Sequence, residues 1–343
     1  MPSSAMKADT GAQPSSTARL QTWRRRTQGG FFVLFLLAPS LNLSRFDLHE
    51  AQLWFLGMRW SLGIDALTRG EVSATQAGVT LVLRAFVPAV IFIAAFLGIA
   101  YRYGRVYCGW LCPHFSAVET LNDVLHRACG KLSLWDKTTT HRAGIHPSAR
   151  WWPLFAISCL TMGFVWAITL LTYLLPPDEI WGRLLSGTLT PGPTRFLWVA
   201  TLLLTLEFAF ARHLFCRFGC AVGLFQSLAW IANPRGMVVA FTRERARDCK
   251  TCRHETAEGT ALPDTDVLAP LPGNACDAVC PMRLRPRNIK RLMFSCVQCG
   301  QCLTACDATQ SAQARTPTLQ WEIGEAALRE TLRQRREELR EKR

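Results

Sequence analysis

The sequence predicts a mostly α-helical, polytopic membrane protein with a smaller α+β, cysteine-rich unit near its C-terminal end. Three observations predict it: apolar residues gather in span-length blocks, basic residues concentrate in alternate loops, and 14 Cys fall largely into C-x-x-C and C-x-x-x-C groups. Of the 343 residues, 49% are hydrophobic, while Lys plus Arg outnumber Asp plus Glu by 39 to 25, a net charge of +14. That hydrophobic content excludes a disordered chain. The gathering of 12 Trp and 19 Phe into blocks argues against an ordinary soluble enzyme. No G-x-G-x-x-G, phosphate loop or nucleophile and base constellation occurs. The basic residues are scattered through loops without a recognition motif, so no nucleic-acid partner is expected.

Residues 1–26 form a basic N-terminal segment and residues 27–232 the membrane domain. Stretches 78–101, 151–175 and 196–215 are long enough to cross a hydrocarbon core of roughly 30 Å. Stretch 31–43, behind Arg24, Arg25 and Arg26, is short. It is read as a first span, giving about four, with a signal-peptide core or an interfacial helix as the alternatives. Segment 1–30 carries five basic residues and loop 102–150 seven, against three in 44–77 and two in 176–195. The positive-inside bias therefore puts the basic loops and the cysteine-rich unit in the cytoplasm, and attraction to anionic lipid headgroups accounts for much of the charge. Two charges fall inside spans: Arg84 reads as snorkelling, and Glu207 as a helix-packing contact or, alternatively, a proton or ion site.

Residues 245–310 hold the densest cysteine pattern: Cys249-x-x-Cys252, a 23-residue insertion, Cys276-x-x-x-Cys280 followed by Pro281, then Cys296-x-x-Cys299-x-x-Cys302-x-x-x-Cys306. The last run has the spacing of bacterial two-cluster ferredoxins, where three close thiolates hold one cluster and the fourth reaches across to the other. By that rule Cys296, Cys299, Cys302 and Cys280 hold one 4Fe-4S cluster, and Cys249, Cys252, Cys276 and Cys306 hold a second. The competing reading is a zinc ribbon. The insertion, without helical or strand period, reads as a surface loop. Arg283, Arg285, Arg287, Lys290 and Arg291 lie between the ligand runs, where positive charge stabilises a reduced cluster.

Two further pairs follow spans directly: Cys108 and Cys112 in C-G-W-L-C-P, and Cys216 and Cys220 in C-R-F-G-C-A. If each pair is helical, its i and i+4 sulfurs share a face. The four thiols are then expected to converge at the membrane edge as a redox relay or a soft-metal site, copper included. His114 and His213 are near enough to join it, although a capping or interface role is the default for each. Cys129 and Cys159 read as packing residues. Residues 320–343 read as a charged helix with Leu328, Leu332 and Leu339 on one side, supported by pairs such as Glu325 with Arg329 and Glu338 with Lys342. Its default reading is a solvated helix, with capping of the cysteine-rich unit or lying on lipid as alternatives.

This order of basic N-terminus, spans, C-x-x-x-C-P, C-x-x-x-C and ferredoxin run resembles the FixG/CcoG cytochrome-oxidase accessory proteins, and is related in pattern to the NapH and NosR membrane ferredoxins. The likeness rests on residues 104–113, 216–228 and 287–307 and covers most of 20–310. It implies a bacterial inner-membrane electron-transfer protein fed by a cytoplasmic redox protein or a quinol. Its implied task is either reducing cupric copper alongside cytochrome oxidase assembly factors or passing electrons toward a periplasmic reductase. On the CcoG-like pattern Cys108, Cys112, Cys216 and Cys220 are the copper or relay thiols. Two departures stand out: Ala221 takes the place of the usual Pro, and the immunoglobulin-like C-terminal domain is absent. The alternative function is a non-redox assembly partner whose clusters only stiffen a docking surface.

Overall fold

The computed structural model describes residues 16–50, 52–131, 133–136, 139, 146–252 and 275–341. The insertion expected as a surface loop lies outside them at 253–274, as do the side chain of Cys252 and the Glu338 and Lys342 pair.

Three described helices are long and apolar enough to cross a membrane: α3 (Ala74–Tyr103), α6 (Trp151–Leu174) and α8 (Pro191–Ala211). A capping box starts α3, with Ser73 Oγ accepting from Gln76 N at 3.3 Å and Gln76 Oε1 accepting from Ser73 N at 3.2 Å. Gly104, at φ 71°, ends it. Two short spans of chain follow, α4 (Val106–Trp110) and α5 (Pro113–Cys129), and Gly130 in the left-handed region stops α5. Helices α6 and α8 pack so closely that a side chain on Gly163 would come within 2.5 Å of Thr205 Oγ1, the small-residue contact by which membrane helices approach.

The stretch expected as a first span is instead the apolar end of α1 (Ser16–Leu37), whose first half is polar and basic. It touches both regions of the chain, with Phe32 and Phe35 against Trp166 and Thr17 bonded to Asp307 of the cysteine-rich unit. An antiparallel meander of β1 (Ser44–Asp47), β2 (Gln52–Phe55) and β3 (Met58–Trp60), then α2 (Ile64–Thr68), leads into α3. Arg84 meets this segment: its Nη1 donates to Ser61 O at 3.1 Å, as snorkelling toward the span's end requires. A short helix α7 (Pro177–Leu185) joins α6 to α8.

After α9 (Ala221–Ile231), β4 (Val238–Phe241) pairs antiparallel with β5 (Leu319–Glu322) and brackets α10 (Ala275–Ala278) and α11 (Gln301–Ser311), an α+β arrangement around the C-terminal cysteines. The final helix α12 spans Glu325–Glu341. It starts after a strand, its buried positions are Ala327, Glu330 and Gln334, and Leu332 and Leu339 are exposed. Polar contacts explain the choice of face: Gln334 Oε1 accepts from Lys290 N at 3.0 Å and Arg333 donates to Phe241 O at 2.9 Å. Glu325 pairs with Arg235 at 3.1 Å.

Candidate functional site: three groups of buried thiols

The C-terminal cysteines line two cavities. Cys280, Cys296, Cys299 and Cys302 line one small cavity together with Val239, Met282 and Met293. Cys249, Cys276 and Cys306 line a second beside Arg287. These are the groupings that the ligand-crossing rule assigns, apart from Cys252. The loop geometry follows from Gln298 and Gly300, both at positive φ (52° and 73°), which turn the C-x-x-C-x-x-C segment tightly before α11 begins. Any Cβ on Gly300 would meet the Trp321 ring at 2.9 Å.

Burial pushes the thiols of Cys276, Cys280, Cys299 and Cys302 upward and that of Cys296 to about 12, so without a cation these sulfurs hold their protons. A metal centre displaces those protons and makes the burial tolerable. Among the described residues no three His, Cys, Asp or Glu are arranged to hold a metal ion. A tetrahedral zinc with bonds of about 2.3 Å needs its sulfurs within about 4 Å of each other. Four thiols lining one cavity are the donor set that an iron-sulfur cluster takes. Of the cations expected to stabilise such a group, Arg287 pairs with Asp277 at 2.8 Å beside Cys276, Arg283 pairs with Asp136, and Lys290 donates to Asn233 O at 2.5 Å.

The third group is formed by Cys108, Cys112, Cys216 and Cys220, whose thiols lie within electrostatic reach of one another. The structure corrects the reason for their convergence. Neither pair sits on one helix face: Cys108 lies in α4 and Cys216 in a π-turn (Phe215–Gly219), whereas Cys112 and Cys220 are the extended N-cap residues of α5 and α9. Each motif thus interrupts the helix, with the second Cys opening the next one. His114 packs 6.0 Å from Trp166, well along α6, and stacks on Phe208 at 5.3 Å.

Polar groups surround these sulfurs. Gln226 Nε2 donates to Cys108 Sγ at 3.3 Å, and buried Arg105 reaches Cys216 O at 2.7 Å and Cys108 Sγ at 3.9 Å. Gly223 leaves room for that guanidinium, since a Cβ there would stand 2.1 Å from Nη2. His114 Nδ1 lies 3.5 Å from Cys216 Sγ, and its Nε2 lies 3.1 Å from Glu207 Oε2, so the intramembrane carboxylate holds a ring that touches the thiol group. His213, the other candidate, is buried with both ring nitrogens unpartnered. Burial, then Arg283, Arg212 and Arg217, hold it near pKa 4 and therefore neutral. Cys159 is packed in the core and Cys129 Sγ donates to Leu125 O, as expected of packing residues.

A close contact joins the third group to the first cavity. Trp110 Nε1 donates to Gln298 O at 3.0 Å, and Gly109 lies so close to Val297 that a Cβ would be 2.1 Å from its carbonyl oxygen. Buried Arg24 donates to Gly109 O at 3.0 Å and to Glu119 Oε2 at 2.9 Å, while Gln301 of α11 bonds the same carboxylate. Gln21 Nε2 donates to Cys299 O at 2.9 Å. Sequence reasoning missed Arg24, Arg105, Glu119 and Gln226, because partners 85 to 182 positions away leave no local spacing. Gly109→Ala is expected to cost about 1–3 kcal/mol by overpacking. The half-life of the full chain at fixed temperature in nanodiscs checks it, and an unchanged half-life refutes the contact.

Residues 85–131 match the family described as 4Fe-4S binding domain. The comparison supports an iron-sulfur protein. The matched segment contains Cys108, Cys112 and Cys129 and none of the eight C-terminal cysteines. The chain is also similar to Protein RdxA of Cereibacter sphaeroides, 27% identical over 217 residues, which is 62% of this chain and 42% of that protein. The chain thus spans less than half the length of that relative. No solved structure matches.

Proposed function

We propose that the chain is a bacterial inner-membrane electron-transfer protein whose cysteine-rich unit faces the cytoplasm. In this reading Cys280, Cys296, Cys299 and Cys302 hold one 4Fe-4S cluster, Cys249, Cys252, Cys276 and Cys306 hold another, and Cys108, Cys112, Cys216 and Cys220 form the exit site. A bound cube supplies storage and release of single electrons. The residues of the chain exclude water from each thiol group, fix their separation and place hydrogen-bond donors on the exit sulfurs. The observation that carries the proposal is the seating of the Cys296–Cys302 loop against the Cys108 turn, through Gly109 on Val297 and Trp110 on Gln298. Redox groups that serve separate tasks have no need of this contact.

The acceptor is a substrate of the exit site. The preferred one is cupric ion, which takes one electron to become cuprous, the form that soft thiols favour. Delivery to cytochrome oxidase assembly factors follows from the resemblance described above, and a periplasmic reductase is the other acceptor it implies. Cys108→Ala is expected to abolish reduction of added Cu(II) by dithionite-reduced, full-length protein while leaving the iron content of the C-terminal unit unchanged. Full Cu(II) reduction by the variant contradicts the relay.

A further inference from the structure

We propose that His114 is a ligand of the copper that the exit thiols take as substrate, and that Glu207 is the positioning residue that turns the ring toward it. His114 lies one residue beyond the 104–113 stretch that carries the family resemblance, so its role stands on geometry. The inference deepens the reading above and rests on it for the identity of the metal.

The Nδ1 of His114 stands 3.5 Å from Cys216 Sγ. Two ligands of one tetrahedral ion, with bonds of about 2.3 Å to sulfur and about 2.0 Å to nitrogen, are themselves about 3.5 Å apart. Ring and sulfur therefore already have the spacing at which they share an ion. A thiol donating to a neutral ring nitrogen spans a similar distance, so the far side of the ring decides between the two roles.

There Nε2 lies 3.1 Å from Glu207 Oε2, while Glu207 Oε1 is buried without a partner. A carboxylate that accepts from the remote ring N–H fixes the tautomer, leaves the Nδ1 lone pair toward the sulfur and raises its basicity, as it does for metal-ligating histidines. Packing of the ring against Trp166, Phe208 and Phe215 asks for no such charge, and a carboxylate within a span-length helix is costly. Glu207 opens one π-turn (Glu207–Ala211) and Cys216 sits in the next, wide turns of the kind that recur at functional sites.

The mixed donor set has a chemical consequence. Thiolates favour cuprous ion, whereas imidazole also suits cupric ion. A site with both admits Cu(II) and holds it as Cu(I) once a single electron arrives from the neighbouring iron-sulfur group proposed above. On binding, the Cys216 S–H bond breaks, its proton goes to water, and the sulfur and Nδ1 bind the ion.

Full-length protein, purified without oxygen and held in nanodiscs, is loaded with Cu(I) from a chelator buffer. Copper-edge X-ray absorption reads the ligands, and chelator competition reads the affinity. The parent is expected to show imidazole nitrogen beside sulfur. His114→Gln, whose amide still donates to Glu207, is expected to lose the nitrogen and bind Cu(I) about tenfold more weakly or worse, with iron content unchanged. Glu207→Gln is expected to keep the nitrogen and weaken binding about tenfold. A parent that takes up no copper or shows sulfur alone, or a His114→Gln spectrum identical to the parent's, overturns the ligand. Parent-like affinity in Glu207→Gln overturns the positioning role. A nitrogen ligand that His114→Gln removes, in protein whose reduced clusters leave added Cu(II) unreduced, upholds the ligand and overturns the electron-transfer reading.

Discussion

Cys299→Ser is expected to remove about half of the iron and acid-labile sulfide from anaerobically purified protein, because the substitution opens one of two proposed four-thiolate sites and leaves the other closed. Cys299 is the most exacting position to change. Its sulfur lines the first cavity, its carbonyl accepts from Gln21 of α1, and the loop that carries it abuts Gly109. The same variant is therefore expected to slow electron delivery to the exit thiols more than Cys306→Ser, which opens the more distant cavity. Cys159→Ser, in the core of the membrane domain, is the control and should keep its full iron. Equal iron in the Cys299→Ser and parent proteins contradicts the ligand assignment.

Arg24→Met is expected to destabilise the protein by about 3–5 kcal/mol, the usual cost of leaving one member of a buried ion pair without its partner. Arg24 is fully buried and Glu119 nearly so, and the pair also fixes Gly109 O and Gln301. Removal leaves an uncompensated carboxylate between α1, α5 and α11. The double variant Arg24→Met with Glu119→Gln removes that charge and is expected to recover a large part of the loss. Because membrane proteins of this size unfold irreversibly on heating, the half-life at fixed temperature in nanodiscs is the suitable readout. A single variant as stable as the parent shows that the pair does not hold the two halves together.

Much of this arrangement was legible in the sequence where the signal is local. Span-length apolar runs located α3, α6 and α8 to within a few residues, since desolvation of backbone and side chains over about 20 positions leaves little choice. Cysteine spacing grouped seven C-terminal thiols as the cavities group them, because a tight loop fixes which sulfurs point inward. What sequence could not supply was the tertiary partner. The i and i+4 reading of Cys108 with Cys112 failed because Leu111 leaves the helical region and Cys112 caps the next helix. The short apolar stretch at 31–43 begins inside a longer helix that ends at Leu37 and whose polar half docks on α11, a pairing across 290 positions. Likewise α12 docks through Gln334 and Arg333, because Lys290 N and Phe241 O offer hydrogen-bond partners that hydropathy does not see.

The most direct measurement is a redox titration of the full chain, purified without oxygen, followed by visible absorbance and paramagnetic resonance with metal analysis of the same sample. The account predicts brown protein with iron and sulfide, reversible bleaching, and signals from more than one centre, one of them missing in Cys299→Ser. Colourless or zinc-loaded protein, or clusters that accept no electron and serve only as rigid struts, would contradict it.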